Sequence, residues 1–151
     1  MKDLPERGVV LVIGYGNELR RDDGLGPQVA RELAARDLPR VRVRTVHQLV
    51  PELAAELAEA RLAVFIDARV GPNRKRVTIG RLLPSGPPEI LAHWADPEAL
   101  LALASVYGPA PQAVLVSVAG QDFGLGEGLS DFATANAQRA LRLVRGLIRS
   151  G

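Results

Sequence analysis

An apolar run, Val9-Val10-Leu11-Val12-Ile13, passes directly into a loop with glycine at positions 14, 16, 24 and 26, and the loop into the helical pattern Val29-Ala30-Leu33-Ala34. A short, continuous apolar run reads as a strand buried on both faces, which is the habit of parallel sheets. In open α/β sheets, ligands bind in crevices at the carboxyl ends of such strands. The loop reads Gly14-Tyr15-Gly16-Asn17-Glu18-Leu19-Arg20-Arg21-Asp22-Asp23-Gly24-Leu25-Gly26. It sets two adjacent carboxylates at the start of a helix, where backbone N–H groups favour negative charge. An ordinary turn needs one glycine or one aspartate, not this density of both.

The rest of the chain alternates in the same way. Apolar runs predict strands over 8–13, 41–46, 62–66, 77–82 and 113–118, and helical patterns cover 25–36, 51–60, 97–106 and 131–148. Asp96-Pro97-Glu98 offers a cap, a proline at the first helical position and an acid in the first turn; Ser130-Asp131 starts the last helix in similar fashion. That last helix is expected to bury Phe132, Ala135, Ala140, Leu143, Val144, Leu147 and Ile148. Residues 70–93, broken by Pro72, Pro84, Pro87 and Pro88, are expected to hold one strand at the sheet edge and a surface loop. Alternation of this kind predicts an α/β fold, a three-layer α/β/α sandwich around a mostly parallel sheet of about five strands. At 151 residues, 47% of them hydrophobic, the whole chain is expected to form one domain.

Absence of cysteine excludes disulfides, thiolate metal sites and a cysteine nucleophile together. The start, Met1-Lys2-Asp3-Leu4-Pro5-Glu6-Arg7, lacks a signal-peptide core, and no apolar run reaches the ~20 residues of a membrane helix. A cytoplasmic protein without membrane insertion is the expectation. The net charge is +2, and the only dense basic cluster, Arg69 with Arg74-Lys75-Arg76, reads as a solvated loop. With aromatics at 4%, the stacking surface that nucleic acid requires is missing.

Several residues carry chemistry. Gly14 and Gly16 begin a dinucleotide fingerprint, but Leu19 stands where its third glycine belongs, and His47-Gln48 where an acid should end the second strand. One of Asp22 and Asp23 is explained as a helix-start acid; the glycines before them are not. Asp67 follows the run Val64-Phe65-Ile66, which places it either at the active edge or in a turn. His93 stands just ahead of a helix, and His47 ends the second strand and is a candidate accessory residue facing the crevice. Together Asp23, Asp67 and His93 could supply two carboxylates and one imidazole to a divalent metal such as nickel or zinc, with a coordination position left open. No Gly-x-Ser-x-Gly elbow marks Ser85, Ser105, Ser117, Ser130 or Ser150 as a nucleophile.

These residues resemble the [NiFe]-hydrogenase maturation endopeptidases. The likeness rests on an ordered set of segments: Gly16-Asn17-x-Leu19-x-x-Asp22-Asp23-Gly24-x-Gly26, then Gln48-Leu49-Val50-Pro51-Glu52-Leu53-Ala54, then Val64-Phe65-Ile66-Asp67-Ala68. His93 leading into Pro97–Ala104, Tyr107-Gly108-x-x-Pro111 and Gly126-Glu127-Gly128-Leu129-Ser130 complete it. The resemblance implies a phosphorylase/hydrolase-like fold and a monomeric protease that cuts a C-terminal extension from the hydrogenase large-subunit precursor once nickel is installed. It places three metal ligands on Asp23, Asp67 and His93, with Gly14, Gly16, Asn17, Asp22 and Gly24 supporting the site. Nickel would come with the substrate and act as the recognition signal; cadmium or zinc would occupy the same ligands in vitro. Asp23 is the first candidate for activating the attacking water. His93 must be neutral to ligate, so binding should weaken below about pH 6. One departure is Thr45-Val46-His47-Gln48, where certain relatives carry Asp-Gly-Gly. Two other readings remain: a nickel-binding chaperone on the same fold that does not cut, and a nucleotide-binding α/β domain.

Overall fold

The computed structural model describes residues 8–70, 75–85 and 96–150. Five strands form one sheet: β1 (Val9–Tyr15), β2 (Val41–Val46), β3 (Ala60–Arg69), β4 (Val77–Leu82) and β5 (Gln112–Ala119). Their order across the sheet is β2-β1-β3-β5-β4. All neighbours are parallel except β4, which runs antiparallel to β5 at the edge. The helices among the described residues are α1 (Leu25–Ala34), α2 (Leu53–Ala58), α3 (Pro97–Ala104) and α4 (Asp131–Ser150), with a 3-10 turn at Arg21–Gly24. Among the described residues no helix is long and apolar enough to cross a membrane.

Strand alternation sorts the core into two layers. Val10, Val12, Val64, Ile66, Val116 and Val118 face α1 and α4. Leu11, Ile13, Ala63 and Phe65 face α2 and α3. The three-layer sandwich expected from the sequence is therefore present. From β1 the chain crosses to β2 on one side, while β3 lies on the other side of β1. The order reverses between β1 and β3, and the crevice at their carboxyl ends is where an open α/β sheet binds ligands.

The structure corrects some boundaries. The second helix is only Leu53–Ala58, because Ala60 already pairs with Val9 as the first residue of β3. β3 also continues past Ile66, and Asp67 pairs with Ser117 inside the sheet, not in a turn after it. On α4 the buried residues are Ala133, Asn136, Ala137, Ala140, Leu141 and Val144, whereas Ala135 and Leu143 are exposed. A buried asparagine hid this stripe from a purely apolar reading. Asn136 is satisfied there, its amide donating to the Ala119 carbonyl at 2.9 Å.

Candidate active site

The loop after β1 is closed by its own backbone. Gly16 N–H donates to Val46 O at 3.2 Å, Arg20 N–H to Asn17 O at 3.0 Å and Asp23 N–H to Arg20 O at 3.0 Å. Asn17 contributes twice: its side-chain oxygen accepts from Leu19 N–H at 3.0 Å, and its backbone N–H donates to Asp23 Oδ2 at 2.7 Å. Gly16 has φ +150°, and a Cβ there would lie 2.0 Å from Asp23 O, so only glycine fits. Gly26 brings the first turn of α1 onto the sheet, where a Cβ would stand 2.3 Å from Ile66 O and 2.6 Å from Tyr15 O. A Cβ on Gly14 would in turn meet Gly26 O. The glycines thus seat the helix directly over the β1–β3 junction, and Gly24 closes the 3-10 turn that carries Asp23.

Asp22 and Asp23 have different environments. Asp22 is fully buried; its carboxylate accepts from Gln121 N–H at 2.9 Å, Asp122 N–H at 3.0 Å, Ser130 N–H at 2.7 Å and Ser130 Oγ–H at 2.7 Å. Burial pushes its pKa up, but these hydrogen bonds outweigh burial and hold it below the ordinary value. Ser130 Oγ also accepts from Ala133 N–H at 3.1 Å, which makes it the cap of α4. Asp22 therefore ties the β1 loop to the start of the last helix. Arg21, with φ +45°, is held across the same seam by Gly126 O, with its guanidinium 3.6 Å from Asp122.

Asp67 stands one register step beyond the Gly14–Ile66 pair, on the neighbouring strand to Tyr15. Burial raises its pKa to about 6; hydrogen bonds from Ala68 N–H and the Tyr15 phenol oppose the rise, and the charge of Asp23 adds to it. Asp23 and Asp67, from different segments, are therefore near enough to repel. Tyr15 is itself raised, by burial first and then by Asp67, Asp96 and Glu98, so its phenol stays protonated beside Asp67. Asp96 caps α3, accepting from Glu98 N–H at 3.2 Å, and their shared hydrogen bond raises Glu98. The start of α3 thus sits at this edge as well. His93 lies outside the described residues. Among the described residues no group of three or more His, Cys, Asp or Glu is close enough to hold a metal.

Beside these carboxylates is a cleft of about 530 Å³. Gly16, Asn17 and Leu19 form one wall, Thr45 and His47 another, and Glu127 a third. His47, just past the end of β2, is among the residues that line this cleft. Sequence reading did not find Tyr15 or the Asp22–Ser130 link. A tyrosine between two glycines is a detectable signal for the former; the latter spans 108 residues and leaves no local trace.

Two carboxylates of like charge brought together at a switch-point crevice suit a cation or a proton-transfer step. No protein-family model matches the chain, and no curated protein sequence matches it. Solved structures do. The hydrogenase maturating endopeptidase HybD from E. coli superposes with a TM-score of 0.73 at 22% identity, over 94% of this chain and 93% of that one. The [NiFe] hydrogenase maturation protease HybD from Thermococcus kodakarensis gives 0.71 at 26% identity, over 93% and 99%. The maturation protease HycI from Thermococcus kodakarensis KOD1 gives 0.72 at 21%, over 96% and 95%. In fold, and over nearly its whole length, this chain resembles the [NiFe] hydrogenase maturation proteases.

Proposed function

We propose that this chain is an endopeptidase that removes the C-terminal extension of a [NiFe]-hydrogenase large-subunit precursor after nickel has been inserted. The observation that carries this reading is that Asp67, near the end of β3, feels the charge of Asp23 from the 3-10 turn that follows β1. Similarity to maturation proteases over nearly the whole chain supports it.

Nickel belongs to the substrate in this account. Burial raises the pKa of Asp67 to about 6, so at neutral pH it would offer an ionised oxygen to the metal together with Asp23. With His93 they form a set without thiolates, suited to weak, reversible engagement of a metal that the precursor already holds. The Tyr15 phenol keeps the Asp67 carboxylate oriented, and the Asn17 N–H does the same for Asp23. In the cutting step, water oxygen bonds to the scissile carbonyl carbon, the C–N bond breaks, and a proton reaches the leaving amine. Asp23 is assigned to take that proton from water and return it to the leaving amine.

The test is incubation of a nickel-loaded precursor with the protein and with Asp23→Asn and Asp67→Asn, read by intact mass. The parent is expected to shorten the precursor at its C-terminus and both variants to lose at least a hundredfold in rate. Full activity of folded Asp67→Asn would remove Asp67 from the site. Binding without cleavage by the parent would favour the chaperone reading.

A further inference from the structure

At the opposite end of the sheet from the carboxylates lies a second groove, of about 310 Å³. Leu38, Val41 and Ile148 give it an apolar lining, and Arg61, Arg145 and Arg149 stand around it with Arg40. Arg61 is the second residue of β3, six residues before Asp67, so the two sites are about 20 Å apart along one strand. Arg145 and Arg149 are one turn apart on α4, on the same face.

Many arginines of the molecule are paired, and of the described unpaired ones Arg20, Arg36, Arg81, Arg139 and Arg142 are exposed on the surface. Arg31 pairs with Glu18, Arg42 and Arg44 with Glu56, and Arg21 with Asp122. Arg61, Arg145 and Arg149 have no ion pair or side-chain hydrogen bond among the described residues. Arg61 and Arg145 are nonetheless half-buried. A helix carboxyl end favours Arg145 and Arg149, but it does not explain why Arg61 joins them from the sheet. Like charges one helical turn apart repel, and an anion between them relieves that repulsion.

We propose that this groove docks an acidic segment of a partner protein. An apolar side chain of the segment seats on Leu38, Val41 and Ile148, and flanking carboxylates pair with Arg61, Arg145 and Arg149. A bare inorganic anion would leave the apolar lining unused, and a neutral apolar ligand would leave the arginines unused. The site is independent of the proteolytic reading, since none of its residues belongs to the carboxylate edge.

The test is fluorescence anisotropy of the full chain with a labelled heptapeptide, a central leucine flanked by aspartates and glutamates. The same peptide with asparagine and glutamine is the control. The acidic peptide is expected to bind, at least tenfold more weakly to the double variant Arg61→Gln, Arg145→Gln, and more weakly as salt rises from 50 to 300 mM. Arg61→Lys with Arg145→Lys should retain most of the binding, and Asp67→Asn should retain all of it. Melting temperatures of parent and variants establish that each is folded. Equal binding by the glutamine double variant or of the amide peptide would overturn the proposal. Displacement by equimolar citrate or inorganic phosphate would also overturn it, assigning the groove to small anions.

Discussion

Asp67 holds its proton to about pH 6 because it is buried beside Asp23, against an ordinary carboxyl value of 3.8. A group whose folded pKa is raised favours the folded state while protonated. That contribution is whole below pH 3.8 and is lost as pH rises through 6. The shift corresponds to up to about 3 kcal/mol at neutral pH. Asp67→Asn is therefore expected to raise the melting temperature of the metal-free protein at pH 7.5, to leave it unchanged at pH 3.5, and to abolish processing. Calorimetry at the two pH values checks the sign. Asp22 behaves in the opposite way. Its folded pKa lies below 3.8, so its contribution is present above that value and fades as pH falls through the lower one. Asp22→Ala orphans the Gln121, Asp122 and Ser130 N–H groups and is expected to cost about 3 kcal/mol. Denaturant titration at pH 7 measures this. The sequence marks both aspartates as one acidic pair. Only their partners, about a hundred residues away for Asp22, show which of the two ties the loop to α4.

At the scale of elements, the close seat of α1 on β1 and β3 decides where Asp23 points. Gly26 permits it, and Gly26→Ala would force a methyl against Ile66 O and Tyr15 O. Overpacking of this kind costs about 3 kcal/mol, a fall of roughly 10 °C in Tm for a chain of this size. Thermal melting tests this, and a variant that melts like the parent would mean the helix can shift freely. Most of this architecture is legible in the sequence. β2 and β4 have the bounds expected from the sequence, and α3 and α4 start where their capping residues place them. What escapes is tertiary. Asp67 lies within β3 because β5 continues alongside it to Ala119, and local pattern carries no record of that partner. The buried face of α4 is displaced by Asn136, whose burial depends on the Ala119 carbonyl across the core.

For the whole molecule, the reversal of strand order between β1 and β3 concentrates the chemistry at one edge. Loop 16–24, the end of β3 and the start of α3 meet there, while a cleft reaches out toward Thr45, His47 and Glu127. His47→Ala is expected to raise KM for the precursor severalfold with little change in kcat, because His47 lines the cleft away from the paired carboxylates. Steady-state cleavage at varied precursor concentration separates the two constants. Nickel-dependent processing is tested by the intact mass of the same organism's large-subunit precursor after incubation with this protein, with and without nickel loaded. The account predicts loss of a C-terminal peptide only from the nickel-loaded form. Equal cleavage of both forms would contradict nickel as the recognition signal, and cleavage of neither would contradict the proteolytic reading itself.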